Sequence, residues 1–119
     1  MGKATYWQRG ETIDFKNETG AKIEANTIIT LGSRVGIAGT DINPGEVGSL
    51  HVTGVFKMDK IAEEIAAGSD VYLDPSGKIT KAASTPGEEE GPETPHVKAG
   101  FAAEKAETSD TYAIVKINA

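Results

Sequence analysis

No cysteine occurs in the 119 residues, so disulfides, zinc–thiolate centres and thiol nucleophiles are all excluded. Only two imidazoles, His51 and His96, are available to a metal or a proton relay. Aromatic residues make up 6% of the chain, and Trp7 is the one tryptophan. No apolar run approaches the roughly 20 residues of a membrane-spanning helix, and the N-terminus lacks the apolar stretch of a signal peptide. Basic residues are the minority: 12 Lys plus Arg against 18 Asp plus Glu give a formal charge of −6. Such a surface repels phosphate backbones and anionic head groups. These absences predict a soluble protein made in the cytoplasm, with no nucleic-acid partner, no membrane partner, no cofactor and no metal site.

What is present argues for β structure. An apolar content of 38% fills one modest core, which predicts a single domain over 1–119, and 14 glycines suit short strands joined by tight turns. Thr12-Ile13-Asp14-Phe15-Lys16 alternates with period two and stops at the turn-rich Asn17-Glu18-Thr19-Gly20. Gly32-Ser33 divides two β-branched runs as a hairpin connection would, and Pro44-Gly45 suits a type II turn. Ser49 to Met58 reads as one strand, with Leu50, Val52, Phe56 and Met58 of one parity and Gly54 marking a bulge or a crowded crossing. Asp59 to Gly68 has the cap, early acids and terminal glycine of a short helix over 59–68, with Ile61 and Ile65 facing the core. Val71-Tyr72-Leu73 and Lys78-Ile79-Thr80 flank the turn Asp74-Pro75-Ser76-Gly77. The acidic, Pro- and Gly-broken stretch 82–95 predicts a mobile loop, and order resumes in strands near Val97–Ala103 and Tyr112–Ile117. Residues 1–10 form a flexible arm.

The chain also echoes itself. Ile23 to Leu31 overlays Ile65 to Leu73, matching Ile23 with Ile65, Ala25 with Ala67 and Leu31 with Leu73; Gly36-Ile37-Ala38 likewise echoes Gly100-Phe101-Ala102, and Leu50-His51-Val52 echoes Val115-Lys116-Ile117. The fold class predicted is mainly β: a small barrel or sandwich built from a two-fold pseudo-repeat, with one short helix and the N-terminal arm.

Chemistry-bearing clusters are few. His51, Thr53 and Lys57 share a polar parity, but general acid–base work needs a second positioned group and a pocket. Glu88-Glu89-Glu90 with Glu93 has the charge to hold a cation and lacks a rigid frame, so it reads as a solvated run. Gly32 to Gly36 has no following helix to cradle a phosphate. Tyr6, Trp7 and Arg9 belong to the residue types that dominate protein interfaces; the other reading of Trp7 is a plug at one end of the barrel. Met58 to Ile65 resembles the Asp-Lys-Ala neighbourhood of lipoyl carrier domains and implies a carrier domain modified at Lys60 as one alternative. A glycan- or peptide-binding module using Trp7, Tyr72 and Tyr112 as stacking platforms is another.

Over nearly its whole length the chain resembles the capsid cement, or head decoration, proteins of tailed bacteriophages and prophages. The resemblance is carried by Gly10-Glu11-Thr12-Ile13-Asp14-Phe15 with Asn17, Arg34-Val35-Gly36-Ile37-Ala38, and Asp41-Ile42-Asn43-Pro44-Gly45-Glu46-Val47-Gly48. Val52-Thr53-Gly54-Val55-Phe56 and Gly68-Ser69-Asp70-Val71-Tyr72-Leu73-Asp74 complete it. It implies a non-enzymatic virion protein on the capsid exterior, made in the host bacterial cytoplasm. Its partners would be the major capsid protein and further copies of itself, as a homotrimer. The family brings no catalytic residues, so the candidate interface residues are Tyr6, Trp7, Arg9 and Arg34.

Overall fold

Period-two alternation in Thr12–Lys16 becomes strand β1, and the turn chemistry downstream sets where each later strand begins. The computed structural model describes residues 2–85 and 94–119. Its strands are β1 (Thr12–Lys16), β2 (Ile28–Leu31), β3 (Arg34–Ala38), β4 (Val47–His51), β5 (Val55–Asp59), β6 (Asp70–Leu73), β7 (Ile79–Thr80), β8 (Ser84–Thr85), β9 (Thr94–Pro95), β10 (Val97–Ala102) and β11 (Tyr112–Ile117). The first sheet runs β1-β4-β3-β2 and the second β5-β11-β10-β6-β7, while β8 and β9 pair only with each other. Both main sheets are antiparallel and open, so the protein is mainly β with two stacked sheets rather than a closed barrel.

The turns follow their residues. Gly32 has φ +61 in the β2–β3 hairpin, Gly45 has φ +82 after Pro44, and Gly77 N–H donates to Asp74 O at 2.9 Å to close the β6–β7 turn. Two expectations fail. The run from Ser49 to Met58 is two strands in different sheets, because Gly54 takes φ +125, which lets the chain leave one sheet and enter the next. The helix expected over 59–68 does not form. Its backbone groups are spent on tertiary partners: Lys60 N–H donates to Thr111 O, Ile61 N–H to Ile79 O, and Ile65 exchanges two bonds with Ala106. Local helix propensity amounts to a few tenths of a kcal/mol per residue, and long-range pairing that buries Ile65 completely overrides it. Of the loop expected over 82–95, both ends pair as β8 and β9, and 86–93 lie outside the described residues.

The internal echo is a duplication of the sheet itself. Shifting β1 by 43 and β4 by 65 turns the pairs Ile13↔Leu50 and Phe15↔Gly48 into Phe56↔Val115 and Met58↔Ala113, which are the pairs observed between β5 and β11. Ala38↔Leu50 likewise becomes Ala102↔Val115, and Ile29↔Gly36 becomes Val71↔Gly100. The loops repeat as well. The Ile23↔Ile42 bridge corresponds to Ile65↔Ala106, and Asn26 at φ +71 corresponds to Gly68 at φ +83. Where the register slips, between Lys98 and Gly100, the second copy carries a bulge absent from β3.

Paired residues share a sheet face. In each sheet we term "front" the face bearing Ile13, Phe15, Leu50, Ile29 and Leu31 or their equivalents Phe56, Met58, Val115, Val71 and Leu73, and "back" the opposite one. The main core joins Val35 and Ile37, from the back of the first sheet, to Met58, Val71, Ala102, Ala113 and Val115, from the front of the second. His51 from the same back meets Phe56 at a ring separation of 5.8 Å. The two sheets therefore stack front to back, in the same sense, and not with like faces together. Asn118, following β11, ties them: its amide donates to Val35 O and Val52 O at 2.7 Å each and accepts from Val35 N–H.

Candidate protein interface

Residues 2–9 form neither strand nor helix, and the side chain of Gln8 reaches Thr12 O at 3.2 Å. Trp7 is 89% exposed and Tyr6 81%. Trp7 therefore does not plug the end of a barrel. Arg9 is exposed beside them, so the arm presents two aromatic rings and a guanidinium on the approach to β1. Arg34 is also exposed, at the start of β3, but β4 lies between β1 and β3. The arm thus leads into the edge strand β1 while Arg34 lies on the interior strand β3, and the two are not on adjacent strands.

Exposed apolar side chains continue on the two outer faces of the stack. On the front of the first sheet Leu50 and Ile42 are fully buried, Ile13 and Phe15 are half-buried around them, and Arg34 stands exposed beside its pair partner Leu31. Leu50 lies directly over Gly36, where a Cβ would stand 2.6 Å from its Cδ2, and Ile42 lies over Gly48 in the same way. These glycines let two large side chains pack flat on the strands. Beside them Ile13, Phe15, Leu31 and Leu50 line an open groove of about 330 Å³, with Asp14, Lys16 and Glu18 at its rim. Leu31 is 43% exposed. On the outer back of the second sheet, Val55 is 57% exposed and Tyr112 41%, and the Lys57 ammonium sits 4.2 Å from the Tyr112 ring centroid.

Residues weighed for chemistry find structural employment. Lys60 is only 5% exposed, and its Nζ donates to Ile61 O at 3.1 Å and Glu63 O at 2.7 Å. A carrier lysine must project from a hairpin tip, and this one is folded against its own loop. Asn17 occupies the equivalent place after β1, wholly buried, donating to Ala21 O and Ile42 O and accepting from Thr19. Both were missed as anchors; their separation by 43 residues, the shift that relates β1 to β5, was the available signal. Lys57 and Thr53 lie near His51 in sequence, yet His51 belongs to the first sheet and Lys57 to the second. His96 Nδ1 lies 2.8 Å from Ala82 O. Among the described residues no three His, Asp or Glu side chains converge on a metal position, and Glu88 to Glu90 and Glu93 lie outside them. Tyr72 and Tyr112 share the back of the second sheet, whereas Trp7 is on the arm, so the three do not form one platform.

No curated protein matches this chain, and no solved structure matches it. The model of one family does, from Trp7 at the end of the exposed arm to Ile117 at the end of β11, and so takes in both copies of the repeated sheet. The chain belongs to the phage cement protein family, whose model matches residues 7–117.

Proposed function

We propose that the protein binds the outer surface of an assembled phage or prophage capsid and reinforces it, with the major capsid protein as partner and further copies of itself, as a homotrimer, beside it. Family membership across 7–117 is the observation that carries this reading. The surface chemistry supports it: the arm offers Tyr6, Trp7 and Arg9 free of the sheet, and interface hot spots are enriched in these residue types. Arg34 is the fourth candidate contact. On this reading the protein catalyses nothing, is synthesised in the host cytoplasm and ends on the virion exterior. Binding spread over many shallow contacts per shell gains from multivalency without needing a deep pocket.

Cosedimentation with expanded capsids of the cognate phage tests the reading. Bound protein that raises the force or temperature at which shells rupture is expected; no binding to intact expanded shells would remove it.

A further inference from the structure

We infer that the open edge of β5 takes an extended segment of the capsid partner as an added antiparallel strand, one whose residues run basic, apolar, acidic, apolar along the edge. The source of that segment rests on the cement function proposed above; the strand-accepting edge does not.

β5 ends the second sheet and pairs with β11 alone. Ile117 N–H donates to Gly54 O at one end of that pairing and Lys60 N–H to Thr111 O at the other, so Gly54, Phe56, Met58 and Lys60 are the residues that exchange bonds with β11. The N–H and C=O groups of Val55, Lys57 and Asp59 point the other way and have no partner among the described residues. Such a row is a template for another strand. The remaining edges suit one less. β7 is two residues long and Ile79 O already accepts from Ile61 N–H, β2 turns only Ile28 and Thr30 outward, and on β1 the side chain of Gln8 occupies Thr12 O.

A slot beside β5 says what the added strand must carry. Its volume is about 210 Å³, with Phe56, Met58, Ile28 and Ile37 as walls and Lys57 and Asp59 at its rim. Neighbouring residues of one strand point to opposite faces, so a cavity that touches Phe56, Lys57, Met58 and Asp59 together lies along the strand's edge. It is smaller than an ordinary small-molecule site and suits side chains instead. In an added strand, the side chains opposite Phe56 and Met58 point to the front and enter the slot, between the two sheets. Both positions therefore favour apolar residues. The residue between them lies opposite Lys57, whose ammonium rests on the Tyr112 ring and makes no ion pair among the described residues, so an acidic residue complements it. Opposite Asp59 a basic residue does the same. Antiparallel addition continues the pattern of both main sheets.

Two capped peptides of identical composition test the edge on the full chain: Lys-Val-Glu-Val-Thr, which sets opposite charges against Asp59 and Lys57, and Glu-Val-Lys-Val-Thr, which sets like charges against them. In NMR titration the first is expected to shift the amides of Val55, Lys57 and Asp59 and to bind about tenfold more tightly than the second. Lys57→Glu combined with Asp59→Lys is expected to reverse that preference. Lys57→Pro removes an outward N–H while sparing the bonds to β11, and is expected to abolish binding. No shift at millimolar peptide, equal binding of the two peptides, shifts confined to another surface, or unchanged binding by Lys57→Pro would each overturn the inference. If Lys57→Pro melts early, the charge-reversed variant decides alone. Amide exchange in protein bound to expanded capsids then reads the source, with slowed exchange at Lys57 and Asp59 expected. Bound protein whose edge amides exchange as in the free chain overturns the capsid segment as occupant and leaves the cement function standing. Protein that takes the first peptide and ignores capsids removes the cement function, and the capsid as source with it, while the edge remains a strand acceptor.

Discussion

Asn17 is the side chain on which the first sheet's loops converge, and replacing it separates hydrogen bonding from packing. Its Nδ2 donates to Ala21 O at 2.8 Å and Ile42 O at 2.9 Å, and its Oδ1 accepts from Thr19 N–H at 2.9 Å and Thr19 Oγ1 at 2.6 Å. In Asn17→Ala the two carbonyls keep one donor each, since Ile23 N–H still reaches Ile42 O and Thr19 Oγ1 still reaches Ala21 O. The loss is then the bonds' net value, one orphaned N–H and a small void, about 2–3 kcal/mol, or about 10 °C of melting temperature for a domain of this size. Asn17→Asp keeps the shape and the acceptor but points a carboxylate oxygen at two carbonyls. That environment raises the carboxyl's folded pKa above its unfolded value of about 3.9, so the folded state binds the proton more tightly. Stability relative to wild type must therefore fall as pH rises through that window, and recover below it where the protonated acid can donate one bond. Urea midpoints of both variants between pH 4 and 8 measure this. An Asn17→Asp protein as stable as wild type at pH 8, or an Asn17→Ala cost under about 0.5 kcal/mol, would refute the convergence.

Trp7→Ala should leave the melting temperature within about 2 °C of wild type, since the ring is 89% exposed, and should weaken capsid binding by about 2 kcal/mol per copy if the arm anchors there. A large fall in melting temperature with unchanged capsid affinity would sink the arm's role. Gly36→Ala places a methyl within 2.6 Å of Leu50 Cγ, an overpacking cost of about 1–3 kcal/mol. Combined with Leu50→Ala that cost should vanish, and strict additivity in the double-mutant cycle would contradict the contact. Asp41 accepts from Ala25 N–H at 2.8 Å and pairs with Lys22 at 3.2 Å, and these, the backbone bond foremost, hold its carboxyl below the ordinary Asp value. Its contribution is thus present above the unfolded pKa and is lost as pH falls through the folded one; an NMR titration midpoint at or above about 3.9 would contradict it.

Alternation, turn chemistry and self-similarity determined much from the sequence alone. Ile13 and Phe15 share one parity, Gly32-Ser33 and Pro44-Gly45 turn as their residues require, and the echoes of Ile23 in Ile65 and of Leu50 in Val115 mark a bridge and a strand that do occupy equivalent places. These are local properties, or comparisons of local properties, and need no knowledge of what lies across the sheet. Only tertiary structure decided the rest. Asp59 to Gly68 has the composition of a helix, yet it gives its backbone to Thr111, Ile79 and Ala106, partners that lie far along the chain. The single strand expected from Ser49 to Met58 breaks at Gly54 because two sheets compete for its halves. The direction of stacking is the deepest case. Ile13 and Phe56 occupy the same place in the repeat and have the same apolar character, but Phe56 packs against the core while Ile13 lines an open groove. A pattern within one strand states which residues share a face; which of two apolar faces meets the other sheet depends on how the whole chain is wound.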